Sequence, residues 1–107
     1  METIKSSKEI DLIFKNGERI SLPFINIYFY KSKNDIRGEV AFIAGKKNGN
    51  AIWRNKSKRR LREIYKQLNI KKPYKTLLIA NKNTNEEDFN KIIKEIKNKI
   101  KRYEKNI

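Results

Sequence analysis

The chain contains no cysteine and no histidine among its 107 residues. Without cysteine there is no disulfide framework and no thiolate metal site. Without histidine the usual side-chain acid–base group near neutral pH is missing as well. Apolar residues make up only 37 % of the chain, and no run approaches the roughly 20 consecutive apolar residues that span a bilayer. The start, Met1 to Ser7, lacks the apolar stretch of a signal peptide. These absences favour a cytoplasmic chain with no membrane partner. Low apolar content ordinarily signals disorder, but here the apolar residues fall in short segments with clear periodicity. The expectation is one folded domain over residues 1–107, with a modest core and a charged surface.

What is abundant is positive charge. Lys and Arg total 27 against 12 Asp and Glu, for a formal net charge of +15. Such a surface repels itself unless a polyanion neutralises it. Nucleic acid is the leading partner, because release of counterions condensed on phosphates drives binding.

Along the chain, Ser6-Ser7-Lys8-Glu9 reads as a capping box opening a short helix, with Ile10, Ile13 and Phe14 on one face. Asn16-Gly17 ends it, with Gly17 suited to a left-handed position; a hairpin turn there would leave the helical spacing unexplained. Ile20 to Leu22 has the composition of a short strand before Pro23. Phe24 to Tyr30 alternates between Phe24, Asn26, Tyr28, Tyr30 and the wholly apolar Ile25, Ile27, Phe29. The second set should face the core, and the first could stay partly open. Asn34-Asp35 marks a turn into a strand over Glu39 to Ala44. Lys75 to Ala80 is apolar enough to be a central strand. Asn50 to about Leu68 is a helix, with Pro73 at its exit. Thr84-Asn85-Glu86-Glu87 reads as a second capping box. The helix after it aligns Phe89, Ile92, Ile93, Ile96, Ile100 and Tyr103 in one stripe. The order is α-β-β-β-α-β-α: an α+β sandwich with one mixed sheet packed by helices.

The helix from Asn50 sorts sharply at about 100° per residue. Ser57, Leu61, Ile64, Tyr65 and Leu68 gather on the side that should pack on the sheet. Arg54, Asn55, Lys58, Arg59, Arg62 and Lys66 form a neighbouring stripe, while Lys56 and Arg60 fall on the other flank. A run of charge is ordinarily a solvated helix face. Here six of the nine residues from Arg54 to Arg62 are basic and none is acidic, so no intrahelical ion pair neutralises the stripe before Glu63. Arg outnumbers Lys in this segment, and guanidinium offers a planar donor fork for phosphate oxygens. A nucleic-acid contact surface follows. Gly45-Lys46-Lys47-Asn48-Gly49-Asn50 precedes the helix and could bring phosphates to backbone amides, although it lacks P-loop spacing and a flexible turn is its ordinary explanation.

The pattern Lys46-Lys47-x-Gly49-Asn50-Ala51-x-x-Arg54-Asn55-x-x-Lys58-Arg59-x-x-Arg62-Glu63 closely resembles the signature of the bacterial ribonuclease P protein family. Phe14-Lys15-x-Gly17, a Tyr-containing strand and Leu78-Ile79-Ala80 follow the family order. The resemblance implies a protein that assists RNA-catalysed removal of 5′ leaders from precursor tRNA, with the chemistry carried by Mg²⁺ held mainly on the catalytic RNA. It implies an α-β sandwich with a left-handed βαβ crossover, against the usual rule. Carried onto this chain, Arg54, Asn55, Lys58, Arg59 and Arg62 match the motif that faces the catalytic RNA, joined by Lys46, Lys47, Asn50 and Lys56. Phe14 and Tyr28 match positions lining the cleft for the single-stranded leader. The chain departs from the pattern at Lys56, where Arg is usual, at Ile10, where an aromatic is common, and at Asn81, where Arg often follows the last strand.

From the residues alone, Tyr28 could stack on bases, whereas Phe14 and Trp53 read more naturally as packing residues. Composition by itself fits a ribosomal protein as well as a ribonuclease P subunit; the motif favours the second. A protein-only nuclease suffers from the missing His and Cys and from Asp11, Asp35, Glu39 and Glu63 lying in separate segments. Neither a catalytic nor a metal-ligating residue is therefore expected in the chain, and no obligate protein partner.

Overall fold

The computed structural model describes residues 2–4, 6–31, 39–70 and 74–105. Its elements run β1 (Glu2–Thr3), α1 (Ser7–Asn16), β2 (Glu18–Leu22), β3 (Ile25–Lys31), β4 (Glu39–Ala44), a 3-10 turn (Lys46–Asn48), α2 (Ala51–Leu68), β5 (Tyr74–Ala80) and α3 (Phe89–Lys105). The expected order holds, with the two-residue β1 added in front. The strands form one mixed sheet in the order β1-β4-β5-β3-β2. β4 and β5 are parallel neighbours, so α2 is the crossover between them. β5 also pairs antiparallel with β3, and β3 with β2.

Strand alternation sends each side of the sheet to a different core. Ile20, Phe24, Ile25, Ile27, Phe29, Val40, Leu78 and Ala80 pack against Leu61, Ile64 and Leu68 of α2 and Ile92 and Ile96 of α3. Nearly all are fully buried, and each large aliphatic among them contributes roughly 1.5–3 kcal/mol. The opposite side is smaller: Ile4, Ile13, Ala41 and Leu77, with Ile10, Tyr28, Tyr30 and Ile43 half-buried around them. Among the described residues, α1 is the one helix on that side.

Four local readings of the sequence are corrected. Ser6 is the N-cap of α1, but its hydroxyl makes no capping bond; the Glu9 carboxylate instead lies 3.5 Å from Lys75 Nζ, a tertiary ion pair that replaces the local one. Gly17 is extended, at φ −79°, and glycine is needed there for space. A Cβ would sit 2.6 Å from the Ile13 carbonyl oxygen and 2.9 Å from that of Phe29. Thr84 does not open the last helix. It is fully buried, accepts from the Asn81 amide at 2.9 Å and donates to the Phe24 carbonyl at 2.6 Å. The cap of α3 falls to Asp88, whose carboxylate accepts from the Lys91 amide at 3.0 Å. Phe24 precedes its strand and is buried with the larger core rather than on the open face. The turn expected at Asn34-Asp35, Pro73 and the side chain of Tyr103 lie outside the described residues.

Candidate nucleic-acid interface

The head of α2 is set by two close fits. Asn50 Oδ1 accepts from the Trp53 amide at 3.0 Å, satisfying one of the helix's free N–H groups. Gly49 packs so tightly on the Trp53 ring that a Cβ would approach it to 2.7 Å. Trp53 is half-buried against the larger core, the packing role its sequence context suggested. Asn50 thus acts first as a cap, and its side-chain oxygen is already engaged. Lys46 and Lys47 stand exposed in the 3-10 turn just before.

Along α2 the buried line is Ser57, Leu61, Ile64 and Leu68. Much of the outward surface is cationic. Asn55, Lys56, Arg59 and Arg62 are exposed, and Arg54 and Lys58 are half-buried. The Arg62 guanidinium lies 5.8 Å from the centre of the Phe42 ring, which holds its planar head at the β4 edge. Arg60 differs in role. It turns toward α3, donates to the Glu87 carbonyl and lies 5.6 Å from the Phe89 ring centre. It ties two helices together rather than facing outward. Asn85 does the same through Ser57, donating to its hydroxyl at 2.8 Å.

Glu63 is the single acid of the helix, and it pairs with Lys66 at 3.4 Å. Among the described residues, no carboxylate lies within ion-pair distance of Arg54, Lys56, Lys58, Arg59 or Arg62. The stripe is therefore unneutralised, as the sequence implied. Between α2 and the start of α3 a groove of about 420 Å³ is lined by Lys56, Arg59, Arg60, Glu63, Asn85 and Phe89.

Phe14 and Tyr28 meet on the other side of the sheet. Their ring centres are 4.9 Å apart with planes at 74°, an edge-to-face contact. Phe14 keeps 40 % of its surface exposed. α1 covers only one end of this side. The central strand β5 shows it directly: Leu77 is fully buried, while Ile79, two residues on and on the same side, is only half-buried. The register places Ile43, Ile79, Asn26 and Ser21 in one row across four strands. Arg19 is the cross-strand partner of Tyr28, so both project on this side. Sequence reasoning had isolated Phe14 and Tyr28 but missed Arg19, Ser21, Ile43 and Ile79. Alternation within each strand gave the face, but only the strand order brings Ser21, Ile43 and Ile79 into one row and sets Arg19 beside Tyr28 in the next.

Among the described residues, no three or more acidic side chains gather where they could hold a metal ion, and no helix is long and apolar enough to cross a membrane.

A mixed sheet closed by helices, with an unneutralised Arg-rich crossover helix, defines an α+β protein built to meet a polyanion. A family model described as Ribonuclease P matches residues 1–104, and the chain belongs to that family. The ribonuclease P protein component of Clostridioides difficile is 33 % identical over 103 residues, covering 92 % of this chain and 89 % of that one. That of Natranaerobius thermophilus is 30 % identical, covering 98 % and 95 %. The solved ribonuclease P protein of Thermotoga maritima superposes with a TM-score of 0.74 at 28 % identity, covering 95 % and 97 % of the two chains. The Staphylococcus aureus protein, at 24 % identity, shares the fold with a TM-score of 0.77 over 94 % of each chain. Family membership makes this chain a protein subunit of a ribonucleoprotein endoribonuclease of tRNA processing, associated with a ribonuclease P RNA.

Proposed function

We propose that the chain docks on ribonuclease P RNA through the outward side of α2 and receives the 5′ leader of precursor tRNA on the open side of the sheet. The observation that carries this reading is the unneutralised cationic ridge of Arg54, Asn55, Lys56, Lys58, Arg59 and Arg62, with Lys46 and Lys47 at its head. Asn50 serves it indirectly, by fixing the helix start. Phe14 and Tyr28 form an aromatic shelf at the mouth of the open row, with Arg19 beside it for the backbone. A shelf of this kind stacks on unpaired bases with little regard to sequence. The hydrolytic step belongs in this reading to Mg²⁺ ions held mainly by the RNA, which generate and orient the attacking water. The place of action is the cytoplasm, with the tRNA precursors. No obligate protein partner is required.

The two surfaces separate experimentally. Arg59→Ala should weaken binding of the catalytic RNA and make the salt dependence shallower by about one unit. Tyr28→Ala should reduce affinity for precursor tRNA bearing a leader by roughly 1–3 kcal/mol, with mature tRNA and catalytic RNA nearly unaffected. Circular dichroism and a melting curve establish that each variant is folded. A folded Tyr28→Ala protein that loses both RNAs equally, or neither, removes the division between docking helix and leader shelf.

A further inference from the structure

Ile52 is 78 % exposed, against 44 % for Leu12 and 40 % for Phe14, the other large apolar side chains that stand out from the surface among the described residues. A lone exposed apolar residue is ordinary on a protein. The position of this one is not. It occupies the first turn of α2, directly after the capped start at Asn50. Residues three, four and seven positions on share its helical face, and these are Asn55, Lys56 and Arg59, all exposed. Neither the larger nor the smaller core includes it. A β-branched residue brings no advantage to an exposed helix turn, so the fold itself does not account for isoleucine here.

We infer that Ile52 is an apolar contact on the RNA. It packs against the ribose and base face of one nucleotide of the ribonuclease P RNA, while Lys56 and Arg59 hold phosphates on either side. This rests on the reading that α2 docks on that RNA. The charge near Ile52 selects the occupant: Lys56 and Arg59 share its helical face, Lys46 and Lys47 stand in the turn just before the helix, and the one acid on the same face, Glu63, is drawn off by Lys66. A cationic surface repels a second copy of this chain, at +15, and attracts a polyanion. A phosphate contact and an apolar contact have different signatures. The first releases counterions and sets the slope of affinity against salt; the second removes apolar surface from water and shifts affinity equally at every salt concentration.

The test compares Ile52→Asn, Ile52→Val and Arg59→Ala in the full chain, measuring affinity for the ribonuclease P RNA of the same organism across a series of salt concentrations. Ile52→Asn should bind about tenfold more weakly at each concentration, giving a line parallel to that of the unaltered protein. Ile52→Val should recover most of the loss. Arg59→Ala should change the slope. Because Ile52 is exposed, the Ile52 variants should melt within a few degrees of the parent protein. Unchanged affinity for Ile52→Asn, or a changed slope, overturns the inference. So does self-association of the parent protein, seen by sedimentation, that Ile52→Asn abolishes while RNA binding persists. If Ile52→Asn is silent while Arg59→Ala acts, only this inference fails; if both are silent, the docking of α2 on the RNA fails with it.

Discussion

The two sides of the sheet use the same strands for opposite ends. On the side covered by α2 and α3, Thr76, Leu78 and Ala80 of the central strand are all buried. On the side covered by α1, the ten-residue helix buries Ile13 over Leu77 and stops, leaving Ile79 and Ile43 half-buried and Phe14 and Tyr28 at the edge of the opening. Two helices close a core; one short helix makes a shelf. A domain with only 37 % apolar residues can fold because it concentrates burial on one side, which leaves aromatic and aliphatic groups partly exposed on the other. The cationic helix α2 belongs to the closed side, so its basic ridge is anchored by the larger core.

The difference is most open to attack through stability. Leu61 is fully buried under α2, and Leu61→Ala should cost about 2–5 kcal/mol in urea unfolding. Phe14→Ala, on the open side, loses an edge-to-face contact and partial burial and should cost about 1 kcal/mol. Equal losses would mean that the open side is as much a part of the core as the closed one.

A smaller effect is expected at the corner where the β2–β3 turn meets the loop after β5. There Thr84 bridges the Asn81 amide and the Phe24 carbonyl, while Asn81 and Asn83 both donate to the Pro23 carbonyl, at 3.0 and 3.1 Å. Thr84→Val keeps the volume and removes both bonds of the hydroxyl. Leaving those backbone groups unpaired should cost about 1–3 kcal/mol, read from the same unfolding curve. A neutral Thr84→Val would mean that the corner is held by the two asparagines alone. It also gives Asn81 a reason for standing where the family pattern often has arginine: in this chain that position fastens a turn.

This corner marks the boundary of what the sequence could disclose. Helices and strands were legible wherever one face is apolar and the period is clear, as in α2, α3 and the alternating residues of β3. The cationic ridge was legible too, because a helix's outward face follows from its inward one. What failed were local hydrogen bonds. Ser6 and Thr84 both have the residue spacing of a capping box, but the Glu9 carboxylate finds Lys75 from a distant strand, and the Thr84 hydroxyl finds Phe24, 60 residues away. A short polar side chain chooses among near-equal partners, and the tertiary one is invisible in the local sequence. Gly17 was right in identity and wrong in reason, since the crowding comes from a strand carbonyl and not from its own dihedral. The two-residue β1 has no periodicity to read; it forms because β4 offers it a parallel edge. The open row of Ser21, Asn26, Ile79 and Ile43, with Arg19 beside Tyr28 in the next row, needed the strand order, which no single strand carries.

The smallest expected effect sits on the rim of the closed side, at Tyr65. Its ring packs edge-on to Phe42, with centres 6.0 Å apart, and burial raises its phenol above the ordinary value near 10. Burial penalises the phenolate, so the folded protein holds its proton at pH values where the unfolded chain has released it. Below about pH 9 both states are protonated and Tyr65 adds no pH dependence. As the pH rises through 10 the unfolded chain loses the proton first, and stability falls. Lysine titration overlaps this range, so the test is a difference: urea unfolding of the parent protein and Tyr65→Phe at matched pH. The two should run parallel up to about pH 9 and diverge above 10, the parent losing more. If they remain parallel to pH 11, the phenol is as well solvated folded as unfolded, and the closed side opens to water one residue further in than its packing against Phe42 implies.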